Sequence, residues 1–327
     1  MKQFKNILCA VSTDESSRIT LERAISLAEK NRAQLTVADV LPRPPKGVSI
    51  SIDATLPTDL QTKIQEERLQ DLQAMTRPFQ QRLPILHKVL MGSPFLEIIR
   101  TVLLDGHDLL IKPAENPKFV KRLFGSNDKH LLRKCPCPVW LTQPKEKPVY
   151  RCVMAAVDFD PEGTDSAELD INRQIIELSS TIALSDSATL HLVHTWDAPG
   201  EMTVRVWSDN PDEAAARYVK GEHLRHQRGL KRLRQSLIDQ LGPEVYDHLA
   251  PHLHLRRGAA SRMIPKIAKQ LHADLVVMGT IARSGISGLL IGNTAEDILE
   301  QLKCSILAVK PSGFVTPVRV AGGDSPG

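Results

Sequence analysis

One order of elements is written twice in this chain, and that repetition limits the folds open to it. A short apolar run, Ile7-Leu8-Cys9-Ala10-Val11, is followed by a helix-patterned segment over Ser16–Asn31. Its apolar positions are Ile19, Ala24, Ile25 and Leu27, and Ser12-Thr13-Asp14 ahead of it reads as an N-cap cluster. Strand-type runs recur at Leu35–Leu41, Ile85–Met91, Asp108–Ile111 and Pro138–Thr142. Helical patterns lie between them at about Asp59–Gln81, Phe95–Leu104 and Asp128–Lys134, and a Pro-containing loop spans Pro42–Pro57. The order then restarts. Strand runs come at Cys152–Asp158, Thr189–Thr195, His252–Arg257, Asp274–Met278 and Cys304–Val309. Helices are expected over Asp170–Ala183, about Glu213–Leu241, Arg262–Gln270 and Ala295–Leu302. Cys137-Pro138-Val139 and Cys304-Ser305-Ile306 stand at the same distance from Gly125 and Gly292, so the chain is a tandem duplication.

Strands that alternate with helices must run parallel and be joined by right-handed crossovers. Each half is therefore a doubly wound α/β domain. The boundaries read as residues 1–142 and 151–310, with a linker at 143–150 and a flexible Gly/Pro-rich tail at 311–327. A length of 327 residues suits two such domains, and with 4% aromatic residues the cores must rest on aliphatic side chains. A net charge of +4 does not argue for nucleic acid. The first half is mildly cationic and the second mildly anionic. No apolar stretch approaches the ~18–20 residues of a membrane span, and the N-terminus carries no signal-type apolar core, which points to a cytoplasmic protein.

Gly279–Thr294 (G-T-I-A-R-S-G-I-S-G-L-L-I-G-N-T) is the stretch with chemistry to offer. A strand, a glycine-studded loop and a helix N-terminus in that order let backbone N–H groups converge on an anion. The same order also serves as a plain connection, and the loop is neither a Walker A nor a G-x-G-x-x-G motif. Thr294-Ala295-Glu296-Asp297 has capping-box spacing, so Thr294 can be read as a helix cap instead.

Other clusters are weaker. Cys135-Pro136-Cys137 lacks a second cysteine pair for zinc. His191 and His194 fall on opposite faces of one strand, whereas His252 and His254 share a face without an evident third ligand. Ser261 and Ser284 have no base placed near them by sequence. Arg225, Arg228 and Arg232 form a basic stripe on the long helix, readable as a solvated face or as a contact for RNA, DNA or an acidic partner. No catalytic residue and no metal ligand set emerges.

With these residues in place, the chain resembles the universal stress protein family over about Asn6–Leu141 and Arg151–Lys310. Nucleotide-binding members carry G-x2-G-x9-G-[ST] after the fourth strand and an Asp ending the first. That pattern falls here on Gly279, Ala282, Gly292 and Asn293, with Arg283 inside the loop, Thr294 after it and Asp158 closing strand one. The resemblance implies five parallel strands per domain in the order 3-2-1-4-5. It sets Asp158 beside the Gly279 loop at the topological switch point, and Thr195 or a neighbour near the base pocket. It implies ATP or another adenine nucleotide as a ligand, with no required cofactor.

Two departures weaken the second half: Ala282 stands for a glycine and Asn293 for a hydroxyl residue. The first half departs further. Ser12 replaces the aspartate, and the first two loop glycines fall on Lys112 and Glu115, or on Pro113 and Asn116 one register over. That half is expected to hold no nucleotide. The resemblance further implies a non-enzymatic role in survival of starvation, oxidative or DNA-damaging stress, gated by a nucleotide in the second domain. Its alternatives are a slow ATPase switch and a carrier of another anionic or lipid-like ligand. It also implies pairing of the two domains through their fifth strands, and admits a homodimer.

Overall fold

A computed structural model describes residues 4–12, 17–42, 57–115, 125–143, 147–162, 166–280 and 292–320. The chain divides into two compact units. The main segment of one is Gln3–Pro148, and the other is built on Val149–Gly285 with Leu290–Gly313.

In the first unit the strands are β1 (Asn6–Ala10), β2 (Gln34–Leu41), β3 (Ile85–Met91), β4 (Leu109–Pro113) and β5 (Val139–Thr142). They pair in parallel as β3-β2-β1-β4-β5. Leu8, Cys9, Leu35, Val37 and Leu109–Ile111 are fully buried, as expected of strands covered on both faces by crossover helices. Those helices are α1 (Arg18–Asn31), α2 (Pro57–Thr76), α3 (Pro94–Asp105) and α4 (Ser126–Lys134). Helix α3 starts on Pro94 and stops at Gly106, whose φ of 67° is the left-handed conformation that ends helices.

The second unit repeats the design with β6 (Cys152–Ala156), β7 (Thr189–Trp196), β8 (His252–Arg257), β9 (Leu275–Gly279) and β10 (Ser305–Val309). Its parallel order is β8-β7-β6-β9-β10. The connecting helices are α5 (Ser166–Asp186), α6 (Glu201–Trp207), α7 (Pro211–Leu241), α8 (Pro243–Leu249), α9 (Ala260–Gln270) and α10 (Asn293–Gln301).

A shared tether marks the duplication. Asp108 accepts the N–H groups of Lys5 (2.7 Å) and Asn6 (3.1 Å), fixing the start of β1 beside β4. Asp274 does the same for Arg151 (2.7 Å) and Cys152 (3.0 Å) ahead of β6.

Several expected boundaries move for local reasons. Helix α2 ends at Thr76 rather than Gln81, because Pro78 has no N–H to donate, and a short 3-10 turn over Arg77–Phe79 follows. Ser17, not the Ser12–Asp14 cluster, occupies the N-cap of α1, and Thr13 and Asp14 lie outside the described residues. Helices α6 and α8 lie in stretches to which the sequence pattern assigned no element. The C-terminal stretch read as a flexible tail is tied down at its start. Ser312 N–H donates to Asp170 Oδ2 at 3.4 Å, and Gln174 Nε2 lies 3.1 Å from Ser312 Oγ.

Candidate functional site

The carboxyl edge of the second sheet gathers the residues singled out in the sequence. Asp158 follows β6, Thr195 is the penultimate residue of β7 and Gly279 ends β9, and these three strands are neighbours. Asp158 is exposed, and its backbone is held by Asn172 of α5. The Asp158 N–H donates to Asn172 Oδ1 at 3.1 Å, and Asn172 Nδ2 donates to the Asp158 carbonyl at 2.6 Å. Asn172 is only 3% exposed. Sequence reasoning passed over it, since a lone Asn in a helix carries no chemical signature.

Gly279 has a packing reason to be glycine. A Cβ there would lie 2.8 Å from Ile171 Cδ1. Ala282 and Arg283 lie outside the described residues. On the far side of the loop Gly292 is the N-cap of α10, and its N–H donates to the Thr280 carbonyl at 3.1 Å.

The capping-box reading of Thr294 is overturned. The Gly292 carbonyl already accepts Glu296 N–H at 3.0 Å, so the helix starts at Asn293 and no side chain caps it. Asn293 and Thr294 are both exposed in the first turn. There helical N–H groups have no intrahelical acceptor.

Lys310, directly after β10, was not anticipated. It is 4% exposed, and its Nζ donates to Thr280 Oγ1 at 2.6 Å, with Thr280 fully buried. A cation therefore stands at the base of the loop.

The first unit fills the corresponding place with its own charges. Strand register decides between the two alignments left open by the sequence. Pro113 pairs with Thr142 as Gly279 pairs with Val309, so Pro113 takes the first glycine position and Lys112 matches Met278. Asp128, on the first turn of α4, is fully buried and receives Lys112 Nζ at 2.5 Å. Its other oxygen accepts the N–H groups of Glu115 (2.7 Å) and Gly125 (3.3 Å). A carboxylate of the chain itself thus takes donors that a bound anion would need. Glu115 narrows the space further, because a Cβ on Gly125 would fall 1.9 Å from Glu115 Oε2.

The strand β7 histidines part as their spacing requires. His194 is buried, stacks on Phe159 with centroids 3.8 Å apart, and has its Nε2 2.9 Å from His226 Nδ1 of α7. His191, on the other face with Thr195, meets β8 instead. The Arg225/Arg228/Arg232 stripe is largely engaged by the chain. Arg225 pairs with Glu222 (2.9 Å) and Glu162 (3.4 Å), Arg228 Nε reaches the Leu224 carbonyl at 3.4 Å, and Arg232 donates to the Pro161 carbonyl. These contacts favour the solvated-face reading of the stripe.

None of the five cysteines is in a disulfide, and burial pushes the Cys9 thiol up to about 12. Cys135 Sγ and Cys137 Sγ lie 3.6 Å apart. Among the described residues no group of three or more His, Cys, Asp or Glu side chains could hold a metal ion, and no helix is long and apolar enough to cross a membrane.

Comparison with known proteins settles the family. The sequence profile of the universal stress protein family matches twice, over residues 3–143 and 150–310. The chain belongs to the universal stress protein family. Two full-length relatives are named universal stress protein E. The one from Photorhabdus laumondii is 27% identical over 98% of this chain and 99% of its own. The one from Escherichia coli K12 is 27% identical over 98% of each. Among solved structures, a putative universal stress protein from Pseudomonas aeruginosa UCBPP-PA14 superposes with a TM-score of 0.66 at 25% identity, over 94% of each chain. A universal stress protein from Archaeoglobus fulgidus shares the fold at a TM-score of 0.58 and 17% identity, over 94% of this chain and 97% of that one. Membership in this family carries a stress-response role, and both universal stress protein domains lie within this one chain.

Proposed function

We propose that the chain is a non-catalytic stress protein whose second repeat takes up an anionic ligand, an adenine nucleotide such as ATP first among them. The contrast between the repeats carries this reading. The buried Lys112–Asp128 pair, which joins the end of β4 to the first turn of α4, is replaced in the second repeat by Met278 and Ala295, each at the matching position. The first turn of α10 consequently keeps its exposed Asn293 and Thr294 uncapped, with Lys310 at the base of the loop. Asp158 would face the nucleoside, Thr195 the base, and the loop bearing Ala282 and Arg283 the phosphates. Five cysteines outside any disulfide suit a reducing compartment, so the proposed setting is the cytoplasm.

Native mass spectrometry of freshly purified protein, followed by titration with ATP, ADP and AMP, tests the reading. A nucleotide should copurify or bind to wild type and be weakened at least about tenfold by Thr294→Glu, which sets a like charge at an anion site. No mass shift with any of the three at millimolar concentration sinks it. Phosphate release lost in Asp158→Ala would convert the reading to a slow ATPase.

A further inference from the structure

Helix α6 wears its amphipathic pattern inside out. Met202, Thr203, Val206 and Trp207 lie on one side of it and are all exposed. Glu201, Val204, Arg205 and the following Ser208 lie on the other side and are half-buried. A surface helix ordinarily turns its apolar stripe to the core and its charges to water. Here the charges point inward, and the solvent side holds none. Met202 is 65% exposed, Val206 70% and Trp207 84%, whereas Trp140 and Trp196 are buried.

The inner side fixes this orientation. The Glu201 carboxylate accepts from Arg257 of β8, and the Arg205 guanidinium donates to Asp212 of α7 and lies 3.8 Å from Glu201. At the start of the helix the Gly200 N–H donates to Tyr218 Oη of α7 at 3.3 Å. A Cβ on Gly200 would fall 2.7 Å from that oxygen, so the helix is seated closely on α7. The apolar side is therefore held outward by specific polar contacts.

We propose that this side of α6 is a self-association surface, covered by the same surface of a second copy of the chain across a two-fold axis. Two α6 helices laid antiparallel set Met202 of each copy against Trp207 of the other, and Thr203 against Val206. The four contacting residues carry no charge, so the patch meets itself without like-charge repulsion, as an isologous interface requires. The Met–Trp contact, made twice, is of the favourable sulfur–aromatic kind. Asp209, Asp212 and Glu213 are exposed beside the patch and would be repelled by an anionic lipid surface. With Thr203 and Asn210 included, the pair would bury about 1,000 Å2, the low end for a specific interface, which makes the dimer weak and reversible.

Sedimentation velocity of the full chain from about 1 to 500 μM, with acrylamide quenching of tryptophan emission over the same range, tests the surface. The weight-average mass should rise from 36.3 kDa toward twice that value. Quenching should fall in parallel, because Trp207 is the tryptophan open to the quencher. Val206→Glu would bury a carboxylate at the contact and should weaken association at least about tenfold, keeping quenching high. Val206 is exposed, and circular dichroism of the variant checks that its fold is retained. A mass that stays at one chain, a rise in mass with unchanged quenching, or equal association of the folded Val206→Glu variant overturns the proposal. A chain that stays monomeric but floats with phosphatidylcholine vesicles would give the surface to lipid, and overturns it too.

Discussion

Lys112 and Asp128 meet at 2.5 Å in the interior of the first repeat, and no charge pair occupies the matching positions of the second, Met278 and Ala295. The pair does two jobs. It neutralises two charges that are both buried, and through Asp128 it satisfies the N–H groups of Glu115 and Gly125. One copy of the duplicated domain has thus set its own carboxylate on the N–H groups of Glu115 and Gly125, while in the other no side chain caps α10.

Breaking that pair from one side should be costly. Asp128→Ala leaves Lys112 buried without its counter-charge and is expected to lower stability by about 3–5 kcal/mol. Lys112→Met with Asp128→Ala installs the side chains of the second repeat, and should recover at least about half of that loss. Urea unfolding of the three proteins checks this. A double variant as unstable as Asp128→Ala alone would show that the lost N–H contacts, not the stranded charge, dominate.

Asn172 makes two hydrogen bonds to the backbone of Asp158 from a nearly buried position. Asn172→Ala should cost about 1–3 kcal/mol, since a buried amide's partners are left wanting. It should also weaken nucleotide binding if Asp158 contributes to it. Asn172→Asp separates the two roles. It keeps an acceptor for the Asp158 N–H but sets a nearly buried carboxylate against the Asp158 carbonyl, so its unfolding midpoint at neutral pH should lie at or below that of Asn172→Ala.

The two-fold fold was legible because apolar runs of strand length, helical spacing and Gly or Pro stops agree locally throughout both halves. What escaped depended on pairing between distant segments. Asp128 in a short polar helix looks like a solvated charge until β4 brings Lys112 against it. The contact of the His191 ring with His252 and His254 exists only in the β7–β8 register. The choice between Lys112 and Pro113 as the first loop position needed the β4–β5 register as well. Thr294 illustrates the opposite failure. Its capping-box spacing was real, but a helix that starts at Asn293 puts that threonine inside the first turn.

His87 should give the first repeat an acid sensitivity. Its Nε2 lies 2.7 Å from Thr76 Oγ1, and burial lowers its pKa below the usual 6.5. The unfolded chain protonates this ring first, so above 6.5 the group contributes no pH dependence, and stability falls as pH drops from there toward the lowered folded value. His87→Gln keeps a polar partner for Thr76 and removes the titration. The slope of the urea midpoint against pH should therefore be shallower in the variant just below 6.5. Parallel slopes in the two proteins would place the acid sensitivity elsewhere.

Two glycines of α7 should respond to alanine with opposite signs. A methyl group on Gly221 would meet nothing within 4 Å, so Gly221→Ala should gain about 0.5–1 kcal/mol by restricting the unfolded chain and favouring the helix. Gly229 is buried against Phe159, and a Cβ there would lie 2.3 Å from Phe159 Cε2 and 2.9 Å from Cδ2. That ring is itself stacked on His194, so it has no free side to retreat to. The overpacking should outweigh the helix gain, and Gly229→Ala should lower stability by about 1–3 kcal/mol. The double variant Gly229→Ala with Phe159→Leu removes the rigid ring and should regain part of the loss. If Gly229→Ala instead stabilises the protein as Gly221→Ala does, the Phe159 ring is not wedged between α7 and His194, and the packing of that face must differ.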